Sequence, residues 1–598
     1  MGAAVATTQP VSKLVIRLWR HIGARRRKQF WLLLVLMILA SFAEILSIGA
    51  VLPFLGALMQ PERIFEHPSA QLFIRILDLA SADQLLLPLT VTFILASLIA
   101  GAMRLLLLWA TTRFSFAVGS DLSITAYRRT LYQPYAIHIA RNSSEVINGI
   151  WVKVSEVIFF ILLATMTLIS ASVMVIAITL ALFFITPGIA LAVFGGFGFI
   201  YALIVWLTRN RLKIYSQLIA HESTNVLKSI QDGLYGIRDV LIDGSQESFC
   251  NIYRNTNHIL RRAQGNNQLI SQSPRYAVDV LAMTLIATLA YILSKQPSGI
   301  AMAVPTLAAL ALGLQRLLPF LQQVYGAIST IHGAQASLQD TLEFLDQPLP
   351  EYIEKPATKP LPFQQQISLK GISFRYNSQT PWVLKNINLT IVKGARVGFI
   401  GATGCGKSTL LDIIMGLLQP TEGTLEVDNQ PISMVNNRSW QAHVAHVPQT
   451  VFLADCSIEE NIAFGVPKNI IDPERVRLAA RQAKIADVIE TWSLKYQTFV
   501  GERGVKLSGG QRQRIGIARA LYKQADVIIF DEATNALDNE TEQDVMHAIE
   551  ALSGDVTILI IAHRLNTLKN CSEIIELGKD GASRREAAAL NLTDLNYE

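Results

Sequence analysis

Charged side chains are scarce in this chain. They make up 16% of the residues against 51% hydrophobic, where soluble domains carry about 25% charge. That imbalance excludes an ordinary soluble protein, and it is uneven. The apolar excess lies in residues 30–330, while the C-terminal part has the make-up of a soluble α/β domain. Cysteine is also sparse. Cys250, Cys405, Cys456 and Cys571 stand far apart without metal-ligand spacing, which excludes a disulfide framework and a zinc site. There is no compact basic patch with interleaved aromatics, so the net charge of +6 does not describe a nucleic-acid binder. A cleavable signal is not expected either. The run from Phe30 to Met59, broken in charge only by Glu44, far exceeds the ~7–15 residues of a signal core.

What is present is a long membrane pattern followed by a soluble one. With 598 residues, at least two domains are expected. Val11, Leu14, Val15, Leu18, Trp19 and Ile22 recur at helical spacing with Lys13, Arg17 and Arg20 between them, as in an amphipathic helix on the inner membrane surface. Six spanning helices are expected near 30–57, 86–111, 157–183, 188–208, 276–295 and 301–325. Thr186-Pro187-Gly188 joins the third to the fourth, and Lys295 to Gly299 joins the fifth to the sixth. The segments 112–156 and 209–275 are long, helical in pattern and rich in Lys and Arg. The positive-inside rule therefore places them, and both termini, in the cytoplasm. Pro348, Pro350, Pro356, Pro360 and Pro362 mark a linker. The expected division is a membrane domain over 1–345, a linker over 346–362 and an α/β P-loop domain over 363–598. In the last, "ISLKGISFRY" alternates like strands, and "ARVGFIG" and "DVIIFDE" read as buried parallel strands.

The chemistry gathers in this last part. "GATGCGKST" at 401–409 fits G-x-x-x-x-G-K-[ST] between an expected strand and the apolar helix "TLLDIIMGLL". Gly401, Thr403, Gly404, Cys405, Gly406 and Thr409 belong to a loop whose backbone N–H groups close around phosphate oxygens. Lys407 is expected at the β/γ-phosphates and Ser408 at Mg²⁺. Asp531 ends a hydrophobic strand, where it can hold Mg²⁺, and Glu532 follows it, placed to polarise an attacking water. Ser508, Gly509, Gly510 and Gln511, in "LSGGQ", precede a helix expected to begin near Arg512 and offer a second backbone-donor phosphate site. Gln449 can bridge metal, water and the membrane domain. His563 can contact the γ-phosphate, and Tyr376 can stack on adenine.

Taken together, these motifs make the chain resemble an ATP-binding-cassette exporter half-transporter, its membrane domain fused before the cassette. "TFVGERG" (498–504) resembles the exporter-type loop that touches the membrane domain, and "NALD" (535–538) departs slightly from the usual Ser-Ala-Leu-Asp. The tail after Leu577 is short and lacks the usual closing-strand pattern. The resemblance implies ATP and Mg²⁺ as cofactors. It also implies a dimer with each ATP between the phosphate loop of one cassette and the LSGGQ segment of the other. All catalytic elements occur once, so a homodimer with two competent sites is expected, with a heterodimer as the alternative. Helices running into 132–150 and 232–249 are expected to press on the cassette surface.

Arginines inside apolar runs raise the question of cargo. Arg104 lies in the second expected span, Arg275 opens the fifth after Pro274, and Arg316 lies in the sixth beside Gln315, Gln322 and Gln323. A charge at the centre of a span costs roughly 2.5–3.5 kcal/mol, so such residues face a polar cavity or a partner. Both outcomes stay open here. The trio can line a cationic cavity suited to phosphate, or Glu44 and Asp279 can neutralise Arg104 and Arg275 in structural ion pairs. "SFAEILSIGAVLPFLGAL", "MRLLLLWATTRFS", "SPRYAVDVL" and "LQRLLPFLQQV" are similar to bacterial flippases of lipid-linked oligosaccharides and their polysaccharide-exporter relatives. That similarity implies an anionic lipid-linked saccharide as cargo, membrane lipid as partner and a bacterial inner-membrane location. The alternatives are a multidrug, lipid or peptide exporter, and more remotely an ATP-gated channel.

Overall fold

The computed structural model describes residues 9–59, 61–66, 81–185, 187–294, 299–350, 360–532, 555–561, 571–578 and 581–585, with single positions at 71, 74, 75, 79, 353, 543, 547 and 568. The chain divides into two compact units. One is Met1–Gln133 with Arg141–Pro348; the other is Pro134–Ala140 with Leu349–Glu598.

The first unit is helical throughout its described residues. Helix α1 (Val11–His21) buries Leu14 and Leu18 in a cluster with Leu33, Met37, Phe114 and Val118. This part of its apolar stripe is thus covered by the chain's own helices, which offer closer apolar surface than a membrane face. The Arg27 guanidinium donates to the carbonyls of Trp19, Arg20 and Ile22, satisfying orphan acceptors at the end of α1. Helices α2 (Ala24–Met59) and α3 (Leu86–Leu131) follow. A third run passes from Ser143 through π-helical Asn148–Lys153 and Val157–Leu162 into α4 (Leu163–Ile185). Pro187 opens α5 (Pro187–Tyr235), the position where its missing N–H costs nothing. Helices α6 (Gln246–Ser294), α7 (Gly299–Gly333) and α8 (Gln335–Leu345) complete the unit. These runs cover the described residues of the six expected spans, and several extend well beyond bilayer length; Lys295, the end of the fifth, lies outside the described residues. Among the described residues, Ala24–Ser47, Leu86–Leu131 and Ser143–Leu180 are long and apolar enough to cross a membrane.

The second unit holds two sheets. The smaller is antiparallel, in the order β2-β1-β4-β5, from β1 (Gln366–Phe374), β2 (Leu384–Val392), β4 (Glu422–Val427) and β5 (Gln430–Pro431). The larger runs β10-β9-β3-β8-β7-β6, from β3 (Arg396–Ile400), β6 (Val444–Val447), β7 (Val527–Asp531), β8 (Thr557–Ile561), β9 (Glu573–Gly578) and β10 (Gly581–Arg585). Its inner strands pair in parallel. Val397, Phe399, Val527, Ile529 and Leu559 are fully covered, as a parallel sheet packed on both faces requires. The core carries its polar groups in bonds: the buried Trp440 indole donates to the Ile414 carbonyl at 2.7 Å.

Two differences from expectation concern ends of elements. The tail after Leu577 does close the sheet, because β10 pairs antiparallel with β9 from Gly578↔Gly581 to Arg585↔Ile574. An edge strand needs only backbone partners on one side, so polar "GASRR" serves without an apolar pattern. Helix α10 (Gly509–Lys523) starts three residues before Arg512. Ser508 is its N-cap, closing a capping box with Gln511.

Candidate nucleotide site and membrane-domain polar residues

The strand register brings the phosphate loop and the acidic pair to one end of the sheet. Phe399 pairs with Ile561 across β3 and β8, and Ile561 pairs with Asp531 across β8 and β7. The loop after β3 and the carboxylate ending β7 are thus two strands apart, about 10 Å at the usual spacing. Ligands of open α/β sheets sit at such carboxyl ends.

The loop's backbone is one that glycine permits. Gly401, Gly404 and Gly406 have φ of 142°, 82° and 99°. At Gly401 a Cβ would lie 2.4 Å from the Leu577 carbonyl oxygen, so no side chain fits there. Gly406 is the left-handed N-cap of α9 (Lys407–Ile414), leaving the helix's first N–H groups aimed into the loop. The buried Lys407 ammonium donates to the carbonyls of Gly401 at 2.8 Å and Ala402 at 3.1 Å. Thr403, Gly404 and Ser408 are exposed, Cys405 is half-buried, and Thr409 is buried with its hydroxyl 3.2 Å from that of Tyr376. The Tyr376 ring is 50% exposed and sits edge-on to Phe374, which leaves an aromatic face at the loop for a base.

The acidic side is tightly coupled. Ser408 hydrogen-bonds Asp531, yet burial first and the neighbouring Glu532 second push the Asp531 carboxyl above its usual range. The Gln449 amide donates to Glu532 at 2.8 Å. Glu532 itself has φ of 50°, the left-handed region that non-glycine residues avoid. Oxygen donors from Ser408, Asp531 and Gln449, with carboxylate charge short of cations, suit a hard divalent ion such as Mg²⁺.

Sequence reasoning missed Asp412. Burial and the Asp531 charge push its carboxyl up to about 6. Asp412 and Tyr376 also act on Tyr135, whose hydroxyl is raised chiefly by burial. The signal was the lone carboxylate of "TLLDIIMGLL". Ser508 and Gln511 bond each other at 2.9 and 3.2 Å, and no hydrogen bond joins them to the phosphate loop among the described residues. His563 and the "NALD" segment lie outside the described residues.

Residues 384–535 match the ABC transporter family model. Over that segment the chain carries an ABC transporter domain. Its ATPase domain is fused to a helical membrane unit, and the fold over 92% of the chain is that of a bacterial Atm1-family ABC exporter structure with ATP bound, at TM-score 0.75, 23% identity and 96% of that chain. An ATP-dependent lipid A-core flippase of Alkalilimnicola ehrlichii is 33% identical over 64% of each chain. Another, of Cupriavidus metallidurans, is 28% identical over 78% of each. The chain thus spans just under two thirds of the first relative and more of the second.

In the membrane unit, the arginines have partners of different quality. The Arg104 guanidinium forks onto Glu44, with Nε at 2.8 Å. Glu44 is 1% exposed and Arg104 52%. Arg275 stands 4.0 Å from Asp279, an ion pair too long for a hydrogen bond. Asp279 accepts instead from the Gln322 amide at 2.7 Å. Arg316 lies on α7, and its side chain is outside the described residues.

Proposed function

We propose that this ABC transporter uses ATP hydrolysis to flip or export an anionic lipid-linked saccharide, or a related lipid, across a bacterial inner membrane, acting as a homodimer with its cassettes and termini in the cytoplasm. The observation carrying the nucleotide half is the convergence of the glycine cradle, Ser408–Asp531 and Gln449–Glu532 at one end of the sheet. Lys407 is positioned to leave the loop carbonyls for the β/γ-phosphates. Ser408, Asp531 and Gln449 would hold Mg²⁺, which neutralises phosphate charge when bound. The Gln449 amide orients the Glu532 carboxylate, which takes the proton of the attacking water. His563 is assigned to the γ-phosphate and Tyr376 to the adenine face. Ser508, Gly509, Gly510 and Gln511 are assigned to the partner's nucleotide; in support, Ser508 and Gln511 bond each other and make no hydrogen bond to their own phosphate loop among the described residues.

For the cargo, the support is chemical. Arg104, Arg275 and Arg316 are guanidinium groups in apolar helices, doubled by a dimer, and such forks match phosphate oxygens. The two relatives named as lipid A-core flippases favour a lipid.

The test is reconstitution in liposomes with a fluorescent polyprenyl-pyrophosphate saccharide. Wild type moves it only with ATP and Mg²⁺. Glu532→Gln binds ATP and stalls, with hydrolysis down about a hundredfold or more. The cargo assignment fails if a neutral head group competes as well as an anionic one, or if Arg275→Ala and Arg316→Ala both leave transport intact.

A further inference from the structure

A second polar cluster sits among α5, α6 and α7, apart from the Glu44–Arg104 pair. Tyr201 of α5 and Tyr325 of α7 are buried in an apolar cluster with Phe197, Val278, Leu317 and Leu321, and the more exposed Arg275 and Asp279 of α6 and Gln322 of α7 lie beside them. The two tyrosine rings lie 5.5 Å apart. Tyr325 donates its hydroxyl to the Ile270 carbonyl at 2.9 Å. Tyr201 is only 6% exposed, and its hydroxyl has no hydrogen-bond partner among the described residues. An unmade buried hydroxyl costs about 1–3 kcal/mol, and a carboxylate in a span costs a similar amount. Phenylalanine and leucine would pack here without either cost.

The groups are also unequal in their commitments. Gln322 occupies one oxygen of Asp279, while the other faces Arg275 at 4.0 Å, a gap that admits a hydrogen-bonding group. The Arg275 charge already balances Asp279, so the side of the cluster facing Tyr201 and Gln322 calls for no further cation, and the carboxylate disfavours an anion there. Arg275 itself is 66% exposed, which leaves it open to a phosphate away from Asp279. An alcohol suits the inner side: it donates to the carboxylate and accepts from the phenol. Several hydroxyls beside aromatic faces describe a sugar ring.

We propose that Tyr201, Asp279 and Gln322 form a hydroxyl-reading site for the saccharide portion of the cargo. The choice of ligand rests on the lipid-linked saccharide reading. The site is separate from any arginine contact to phosphate, and it selects glycosylated over bare lipid carrier.

The experiment uses the full-length protein in nanodiscs and three fluorescent probes: a prenyl-pyrophosphate saccharide, the bare prenyl pyrophosphate, and a neutral prenyl glycoside without phosphate. Wild type should bind the saccharide form about tenfold tighter than the bare pyrophosphate and should also bind the neutral glycoside. Tyr201→Phe removes one unpartnered oxygen, so the variant should fold with unchanged or higher Tm. It should lose most of the tenfold preference and the glycoside binding, while keeping its affinity for bare pyrophosphate. Asp279→Asn should lose the same preference, with its affinity for bare pyrophosphate held or raised because Arg275 loses its counter-charge. Equal wild-type affinity for glycosylated and bare carrier, or full preference in both variants, overturns the site. If wild type binds the neutral glycoside through these residues and neither pyrophosphate, the site stands and the anionic-cargo reading falls. If it binds bare pyrophosphate and shows no glycoside binding, the reading survives and the site falls. Binding of none of the three overturns both.

Discussion

Glu532 is held at φ 50° between the end of β7 and the residues that follow, with its N–H bonded to the Ile561 carbonyl at 3.1 Å. Left-handed backbone costs a residue with a Cβ roughly 1–2 kcal/mol. At an ordinary site Ala is more stable than Gly, because Gly loses more chain entropy on folding. Here the order should reverse. Glu532→Gly is expected to melt above Glu532→Ala by about 2–4 °C, or about 1 kcal/mol in a unit of this size, although the proposed role of Glu532 predicts that both are inactive. Equal melting, or Ala above Gly, refutes the strain. His446 of β6 gives a pH dependence. Burial lowers its imidazole below the ordinary value, and its Nε2 is buried without a hydrogen-bond partner among the described residues. The unfolded chain then takes up a proton near pH 6.5 that the folded chain refuses. Stability from this group is present above that pH and is lost as pH falls below it. His446→Leu should gain on wild type by about 1 kcal/mol per pH unit below 6.5, until the folded-state value is reached. Thermal melts between pH 7.5 and 5.5 read this difference. A constant gap across the range would contradict it.

Elements show how far pattern reading reaches and where it stops. The phosphate loop and the Asp531-Glu532 pair were legible because phosphate chemistry fixes residue types at fixed spacing. The β3 and β7 strands were legible because a sheet covered on both faces admits only continuous apolar runs. The start of α10 was misplaced because the glycines Gly509 and Gly510 weaken a helical pattern, while the capping box of Ser508 and Gln511 sets the true boundary. Closing strand β10 escaped because edge pairing is a backbone matter. The π-helical turns at Asn148–Lys153 and Val157–Leu162 left no composition signal either, since the added residue per turn is fixed by packing. That packing is tight. A Cβ on Gly149 would lie 2.2 Å from the Phe344 ring, which is itself 6% exposed and covered by the Arg141 guanidinium. The ring has no room to swing aside. Gly149→Ala should therefore destabilise the membrane unit by about 1–3 kcal/mol, and Phe344→Leu in the same chain should recover part of the loss. Melting of the purified single and double variants in detergent measures the coupling. Strict additivity would show that the two positions do not touch.

On the scale of the molecule, two units fold against different solvents, and each exposes its polar groups to different costs. The sheet unit can leave a carboxylate to water, whereas the helical unit must match every charge it inserts. Sequence alone left open whether Arg104 serves cargo or its own chain, because spacing says nothing of which face of α2 meets which face of α3. The structure pairs it with Glu44, whose carboxylate is 1% exposed. Removing Arg104 strands the buried Glu44 carboxylate, at about 3–5 kcal/mol, whereas removing Glu44 leaves a half-exposed guanidinium at a smaller cost, and replacing both with neutral groups is nearly free. Arg104→Gln should lower the yield of folded, membrane-inserted protein several-fold, Glu44→Gln should lower it less, and the double variant should restore it. Fluorescence-detected size exclusion of the detergent extract gives that yield directly. Transport then separates the two roles of the guanidinium. If the double variant folds and still moves the proposed lipid-linked saccharide at the wild-type rate, Arg104 acts only in assembly, and the proposed phosphate contact falls to Arg275 and Arg316. If it folds yet loses transport, the half-exposed face of Arg104 reads cargo while Glu44 holds the other. Failure of the double variant to recover over either single one would remove the ion pair as the reason an arginine sits in this apolar helix.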